Sequence, residues 1–359
     1  MRKKIFILMV SMISIMLQAM PSYAQQTVDK LTLQQATQKA FIYNTQIKNT
    51  ELDMEKLDIT RDNIKWSMNG IMSGYNIPEQ QDREIHKVYF ETDLGYRSTE
   101  KLLDNQKRQL VIDVKEAYYN VLLAKKDLAT AHQKLAVSLI KHSQVVSKYE
   151  VGMATQMDVL TAESTLKEDK AAIEEKTNTL TKAYSNLNKL MGNNQEARPE
   201  LVDTVAFTPI ENLDVDTMVL RSVNNSFEVW AKKEKAKKES NAKYYEDSYD
   251  IGEYTESQAQ NEVRDTEESI RLLAKAYCLD ILDKQTKYMQ YEVKEKQLQE
   301  TLKVVKAKYE VGMATKDVVD EVAYSLGQLQ VAKLSTAVSH TVTVDKLQKL
   351  TGELNPVIK

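Results

Sequence analysis

Cysteine is almost missing from this chain: Cys278 is the one thiol in 359 residues. No intrachain disulfide can form, so packing must hold the fold, and a lone thiol reads as a small buried apolar side chain rather than a redox or metal group. Glycine and proline are nearly as scarce, at 9 and 5. That argues against many-turned sheet folds. With 28% charged and 42% hydrophobic residues it points to long amphipathic helices that bury their apolar sides along seams. The four histidines, His86, His132, His142 and His340, show neither HExxH nor paired ligand spacing. Gly-rich phosphate loops and nucleophile elbows are lacking too. The sequence therefore reads as non-enzymatic, with no cofactor and no metal. Asp247, Asp250 and Glu253 lack the alternate ligand spacing of an EF-hand and read as a solvated acidic loop.

A strong excess of one charge is also lacking. The formal net charge is −3, which argues against nucleic acid as a partner. After the N-terminus no run is apolar enough to span a bilayer as a helix. The N-terminus itself has Arg2-Lys3-Lys4, an apolar run from Ile5 to Met20, and Ser22-Tyr23-Ala24 as a small-x-Ala cleavage site. These features predict an export signal over 1–24, with the mature chain starting near Gln25. The apolar run is shorter than the roughly 20 residues of a spanning helix. Removing its three cations takes the charge from −3 to −6.

What the chain does have is a duplication. Lys148-Tyr149-Glu150-Val151-Gly152-Met153-Ala154-Thr155 recurs letter for letter as Lys308-Tyr309-Glu310-Val311-Gly312-Met313-Ala314-Thr315. Gly152 to Gly192 and Gly312 to Gly352 are both 40 residues apart. Upstream the halves slip by one, since Tyr118 precedes Tyr149 by 31 and Tyr277 precedes Tyr309 by 32. The predicted organisation is a first repeat over 25–192 with its tip at 148–155, a linker over 193–212, and a second repeat over 213–359 with its tip at 308–315. The linker holds Pro199, Pro209 and a strand-like Thr204-Val205-Ala206-Phe207.

Each repeat reads as a terminal helix followed by a helical hairpin. Thr32 and Gln35 have capping-box spacing, so a helix should start there, run to Tyr43, pause at Asn44-Thr45 and continue to about Trp66. Leu213 to Thr217 and Asn224-Asn225-Ser226 are the looser second copy. From about Thr99 to Tyr149 apolar residues recur at alternating steps of 4 and 3, from Leu110 and Val114 through Ser138 to Tyr149. Such a helix would be about 75 Å long. The seam resumes beyond each octet through Val159, Asp169 and Leu190, and through Val319, Leu326 and Leu329. Two segments break the pattern, Ser67 to Ser98 and Ala242 to Val263. Both read as loops or weak strands, with one plausible strand at Lys87 to Thr92.

At the octets, Gly152 and Gly312 suit the left-handed position after a helix. Thr155 can cap the next helix with Asp158 completing the box; in the second copy Val318 holds that position and the acid shifts to Asp317. Turn geometry does not require the recurring Glu, Val and Met. An apolar Val and Met at a hairpin end are candidates for a docking surface.

A signal peptide, a Leu-Thr-Leu-x-x-Ala helix start, an Ala-Tyr-Tyr helix, Lys-Tyr-x-Val-Gly-Met-x-Thr-x-x-Asp-Val-Leu-x-Ala and a closing Leu-Met-Gly, repeated in looser form, resemble the TolC family of outer-membrane efflux proteins. The resemblance implies a homotrimer whose protomers each give two hairpins to a twelve-helix α-barrel. It implies a passive exit duct in a tripartite efflux or secretion system, working with a periplasmic adaptor protein and an inner-membrane pump. Carried over by position, the docking residues are Val151, Gly152, Met153, Val311, Gly312 and Met313. The gate candidates are Asp158, Asp317 and Glu321, with Asp317 one residue from a family aspartate position held here by Val318. A symmetric ring of carboxylates would favour cations and resist closure.

The family also implies a pair of membrane strands per half, closing a twelve-stranded barrel. A spanning strand needs about 9 to 11 alternating residues, and neither break segment supplies two. The sequence therefore favours a mainly all-α protein of antiparallel coiled-coil hairpins with little or no β-barrel, which leaves membrane insertion open. By resemblance it belongs in the cell envelope at the outer membrane; without a barrel, a periplasmic or cell-wall position is the alternative. The competing function is an exported coiled-coil scaffold or adaptor-like protein that encloses no channel.

Overall fold

The computed structural model describes residues 30–72 and 79–355; the export signal predicted over 1–24 lies outside the described residues. A two-residue strand β1 (Lys30–Leu31) leads into α1 (Leu33–Tyr43), α2 (Thr45–Met72), α3 (Glu79–Glu150) and α4 (Gln156–Met191). After β2 (Glu200–Leu201) come α5 (Val215–Asn225), α6 (Phe227–Ala242), a 3-10 turn at Lys243–Tyr245, α7 (Tyr249–Glu310) and α8 (Lys316–Thr351). The order short helix, medium helix, long helix, returning helix thus occurs twice.

Local chemistry accounts for most helix ends. Thr32 and Gln35 form the full capping box on α1, and the Asn44 side chain accepts from the Ile47 amide to start α2. Asp214 and Ser226 do the same for α5 and α6. Gly192 and Gly352 end α4 and α8 in the left-handed conformation, φ +66° and +77°. Their surroundings differ. A Cβ on Gly192 would stand 2.5 Å from the Tyr43 ring, whereas one on Gly352 would meet Asn225 at 3.4 Å.

The long helices form a single layer. α3 pairs with α4 and α7 with α8 as hairpins; α3 also packs along α8, so α4 and α7 are left at the two edges. In the upper part α2 flanks α3 and α6 lies between α3 and α7. At about 1.5 Å per residue the 72 residues of α3 extend roughly 108 Å, longer than the predicted helix. Polar pairs fasten α3 to α8 along this length: Lys115 to Asp345 at 2.7 Å, Lys349 Nζ to Gln109 at 2.8 Å, and Lys126 Nζ to Gln330 at 2.8 Å.

Two apolar cores sit in the middle of the molecule. The first gathers Ile112, Val114, Tyr118 and Val121 of α3 with Ala36, Ala40, Leu187 and Met191. The Tyr118 hydroxyl donates to the Leu31 carbonyl at 2.8 Å and accepts from the Asp203 amide at 3.0 Å, tying the parallel β1–β2 pair to α3. The second core gathers Val223, Val229, Ile270, Ala274, Ile281, Leu347 and Leu350 around Cys278, which is fully buried; burial pushes its thiol up. The predicted reading of Cys278 as an apolar filler agrees with this environment.

Three local expectations are corrected. The Ser67 to Ser98 break is helical where described: α2 continues to Met72 and α3 begins at Glu79, taking in the predicted strand Lys87 to Thr92. Val, Tyr, Phe and Thr there favour strand, but Thr92 is buried between helices and Arg83–Glu79 and Arg97–Asp93 are helix-spaced pairs, so packing overrides propensity. Ala242 to Val263 is a 3-10 turn followed by α7, with Asp250 in the helix's first turn, rather than a loop. Thr204 to Phe207 forms no strand; the linker pairs instead at Glu200–Leu201. Among the described residues the strands are β1 and β2 alone.

Candidate functional site at the hairpin tips

The two octets fold as the same turn. Gly152 and Gly312 both have φ +74°. The Gly152 amide donates to Tyr149 O at 2.9 Å and the Met153 amide to Lys148 O at 2.8 Å; the second tip repeats this at 3.0 and 2.7 Å. This is the Schellman pairing, which only a residue free to take positive φ completes without strain. No atom lies within 4 Å of a Cβ built at either glycine, so backbone conformation, not crowding, requires glycine there.

The apolar side chains point away from the fold. Val151 and Val311 are each 69% exposed, and Met153 and Met313 are 77% and 80% exposed.

The acids differ between the tips. Thr155 and Asp158 form the complete capping box: the Asp158 amide donates to Thr155 Oγ1 at 3.2 Å and the Thr155 amide to Asp158 Oδ2 at 2.8 Å. The Thr155 backbone and hydroxyl hold the exposed Asp158 carboxyl below its usual range. Thr315 makes no such side-chain cap. Asp317 is half-buried and held low by the Thr315 hydroxyl and, across the hairpins, by the Gln144 side chain of α3. Glu321 ion-pairs with Lys141 of α3 at 3.3 Å. The structure thus brings Asp317 and Glu321 to one face of α3 and leaves Asp158 on α4, on the far side of that helix. Lys141 and Gln144 were not legible as partners: both lie in the predicted seam region, and their role appears only when α8 is laid along α3.

A second polar group lies inside the first hairpin. Asp169, counted among the seam positions, is buried; it accepts a short hydrogen bond from the Ser138 hydroxyl and pairs with Lys134 at 2.8 Å. Histidines 132 and 142 lie on α3 and His340 on α8, while His86 stacks on Tyr245 at 4.5 Å.

This fold, with its paired hairpins and turned tips, is that of outer-membrane efflux channels. Residues 95–193, from within α3 through α4, match the model of the family described as outer membrane efflux protein. The structure resembles the Campylobacter jejuni CmeC outer membrane channel with a TM-score of 0.67 at 10% identity, covering 91% of this chain and 87% of that one. CusC follows at 0.63 and 13%, covering 89% and 91%. The open-state MtrE outer membrane channel of Neisseria gonorrhoeae gives 0.59 and 14%, covering 91% and 90%. No curated protein sequence matches the chain significantly. The resemblance to the TolC family read from the motifs therefore has a matched family segment and the fold of nearly the whole chain behind it.

Proposed function

We propose that the chain is the exit-duct component of a tripartite efflux or secretion system: a passive, non-enzymatic conduit that docks a periplasmic adaptor through its hairpin tips and works with an inner-membrane pump. The observation that carries the reading is the pair of matched tips, identical in sequence and turn, each offering an exposed Val and Met at the end of a long hairpin. Val151, Gly152, Met153, Val311, Gly312 and Met313 form the docking set, in which the glycines make the turn and the other four meet the partner.

A single layer of helices encloses nothing, so a conduit needs further copies. The layer has two open edges, and α7 exposes Leu272, Leu279, Leu282, Met289 and Val293 along one of them. Three copies joined edge to edge by a heterologous contact close a ring. In that ring Asp317 and Glu321, engaged by Gln144 and Lys141, would hold the second tip against the first hairpin, and releasing them would widen the entrance. Asp158 serves the cap first and the gate second. The family resemblance supports a position in the cell envelope, at the outer membrane, and the export signal predicted over 1–24 is consistent with it.

The replacement of membrane strands by helix near residues 79–98 and 242–263 favours one other reading, a scaffold that encloses no channel. One experiment separates them. A photo-crosslinking residue at Met153 or Met313 in cells should capture a periplasmic adaptor, and the purified mature chain should run as a trimer that Leu279→Glu with Leu282→Glu dissociates. A stable wild-type monomer at micromolar concentration sinks the conduit, and no capture at either tip sinks the docking.

A further inference from the structure

Beside the end of α8, where α5 turns into α6 against α3, lies a cavity of about 440 Å³ that the conduit reading does not use. Its walls come from α3, α5, α6 and α8, whereas the open edges of the layer belong to α4 and α7. The duplication explains the space. Asn44 caps α2 and Ser226 caps α6, so Asn225 in the second copy takes the place of Tyr43 in the first. The Tyr43 ring covers Gly192 so closely that a Cβ there would stand 2.5 Å from it; the shorter Asn225 covers Gly352 at 3.4 Å and turns its amide to the Thr351 carbonyl at 2.9 Å. Where the first copy has a ring, the second has room. In the same register Thr45 and Lys48 become Phe227 and Trp230, whose rings stand 6.3 Å apart at 27° and line the cavity. A hollow of this size with an aromatic wall is of the kind that takes a small organic molecule.

The charges narrow the ligand. Lys101, Asp104, Arg108 and Lys349 all line the cavity. Asp104 accepts from Arg108 Nε at 2.9 Å, and the same guanidinium donates to the Gly352 carbonyl at 3.0 Å and to that of Leu354, so this pair is taken up by the fold. Lys101 and Lys349 remain, and among the described residues neither forms an ion pair. Lys349 Nζ donates only to the neutral side-chain oxygen of Gln109, at 2.8 Å. Burial pushes its pKa down, and Glu228 and Asp113 offset part of this without pairing with it. A buried ammonium lacking a counter-ion favours an anion. An inorganic anion would leave the Phe227 and Trp230 rings uncovered, and a neutral ring would leave both ammonium groups without a partner. A ligand with an aromatic face and a carboxylate, whose two oxygens only accept, satisfies both.

We propose that this cavity binds a small aromatic carboxylate, with its ring against Phe227 and Trp230 and its carboxylate engaged by Lys101 and Lys349. The site is complete within one protomer, so it stands whether or not copies close into a ring or the tips dock an adaptor.

Calorimetric titration of the mature chain with 2-naphthoate tests it, against 2-naphthamide, which keeps the rings without the charge, and cyclohexanecarboxylate, which keeps the charge without the aromatic face. The naphthoate should bind with a dissociation constant on the order of 10–100 μM, and each control about tenfold more weakly or worse. Trp66 and Trp230 are the two tryptophans, so in a Trp66→Phe background labelled with 5-fluorotryptophan the single resonance should shift on saturation. Asn225→Tyr restores the ring of the first copy and should abolish binding with the thermal midpoint retained. Lys101→Gln, at an exposed position, should weaken binding about five- to tenfold and keeps the test decisive should the Asn225 variant misfold. No binding of naphthoate at millimolar concentration, equal affinity for the amide, or unchanged binding by both variants overturns the proposal. Tighter binding of cyclohexanecarboxylate than of naphthoate overturns it too, in favour of a plain anion site.

Discussion

The buried Asp169 makes a sharp test of what holds the first hairpin in register. Its carboxylate is only 2% exposed in the α3–α4 seam, where an apolar residue is expected, and its partners are the Ser138 hydroxyl and the half-exposed Lys134 ammonium. Breaking a buried pair from one side leaves an uncompensated charge, at about 3–5 kcal/mol in general. Here the Ser138 bond remains, so Lys134→Met should cost about 2–3 kcal/mol. Asp169→Leu removes the charge and fills the seam, and should stay within about 1 kcal/mol of wild type. The double variant should recover most of the loss. Hydrogen exchange at α4 amides around Lys170 to Glu174 reads local opening of this hairpin, and about 2–3 kcal/mol corresponds to roughly 30- to 150-fold faster exchange. If Asp169→Leu opens the hairpin as much as Lys134→Met does, the pair holds the fold by its own attraction and the desolvation argument fails. A gain in stability with slipped α3–α4 crosslinks would show that the charge specifies register.

Two further outcomes follow from glycine and histidine. Gly152→Ala should cost about 1–2 kcal/mol, the strain of a left-handed Ala, whereas Gly192→Ala must also displace the Tyr43 ring and should lower the thermal midpoint more; equal losses would refute the crowding at Gly192. His340 is buried against Phe207 at 4.7 Å, and neither ring nitrogen has a hydrogen-bond partner. Burial, with Lys284 nearby, pushes its pKa below 6.5, partly offset by Asp280. A depressed histidine contributes stability that is present above its unfolded pKa and lost as pH falls through its folded one. The protection factors of the linker amides Ala206 to Phe207, exchange taken relative to its intrinsic rate at each pH, should therefore fall on acidification below about 6.5, and His340→Leu should flatten that dependence; an unchanged profile in the variant would rule the histidine out.

Much of the fold was legible because its determinants are local. The Thr32–Gln35 box, the Asn44 pause, the Thr155–Asp158 box and the left-handed Gly152 and Gly312 each act within five residues, and each lies where its spacing predicted. The alternating seam was legible for the same reason over the part of α3 that is buried, from Leu103 to Ser138. The candidate tip residues were legible as a repeat, but their geometry separated them: glycines that serve the turn, Val and Met left exposed, and acids with three different surroundings.

The sequence by itself determined the capped helix starts and the turns at the tips, since caps and positive φ are settled by neighbours along the chain. Tertiary structure alone decided the rest. The segment at 79–98 is helix because α2, α6 and the 3-10 turn pack on it, against the strand propensity of Lys87 to Thr92, and α7 begins at Tyr249 within the predicted loop although that stretch stays largely exposed. Lys141, Gln144 and Lys115 gained partners because α8 lies beside α3, about 200 residues away in the chain. Arg61 came to lie over the Tyr96 ring because α2 returns antiparallel to α3, which no local spacing encodes.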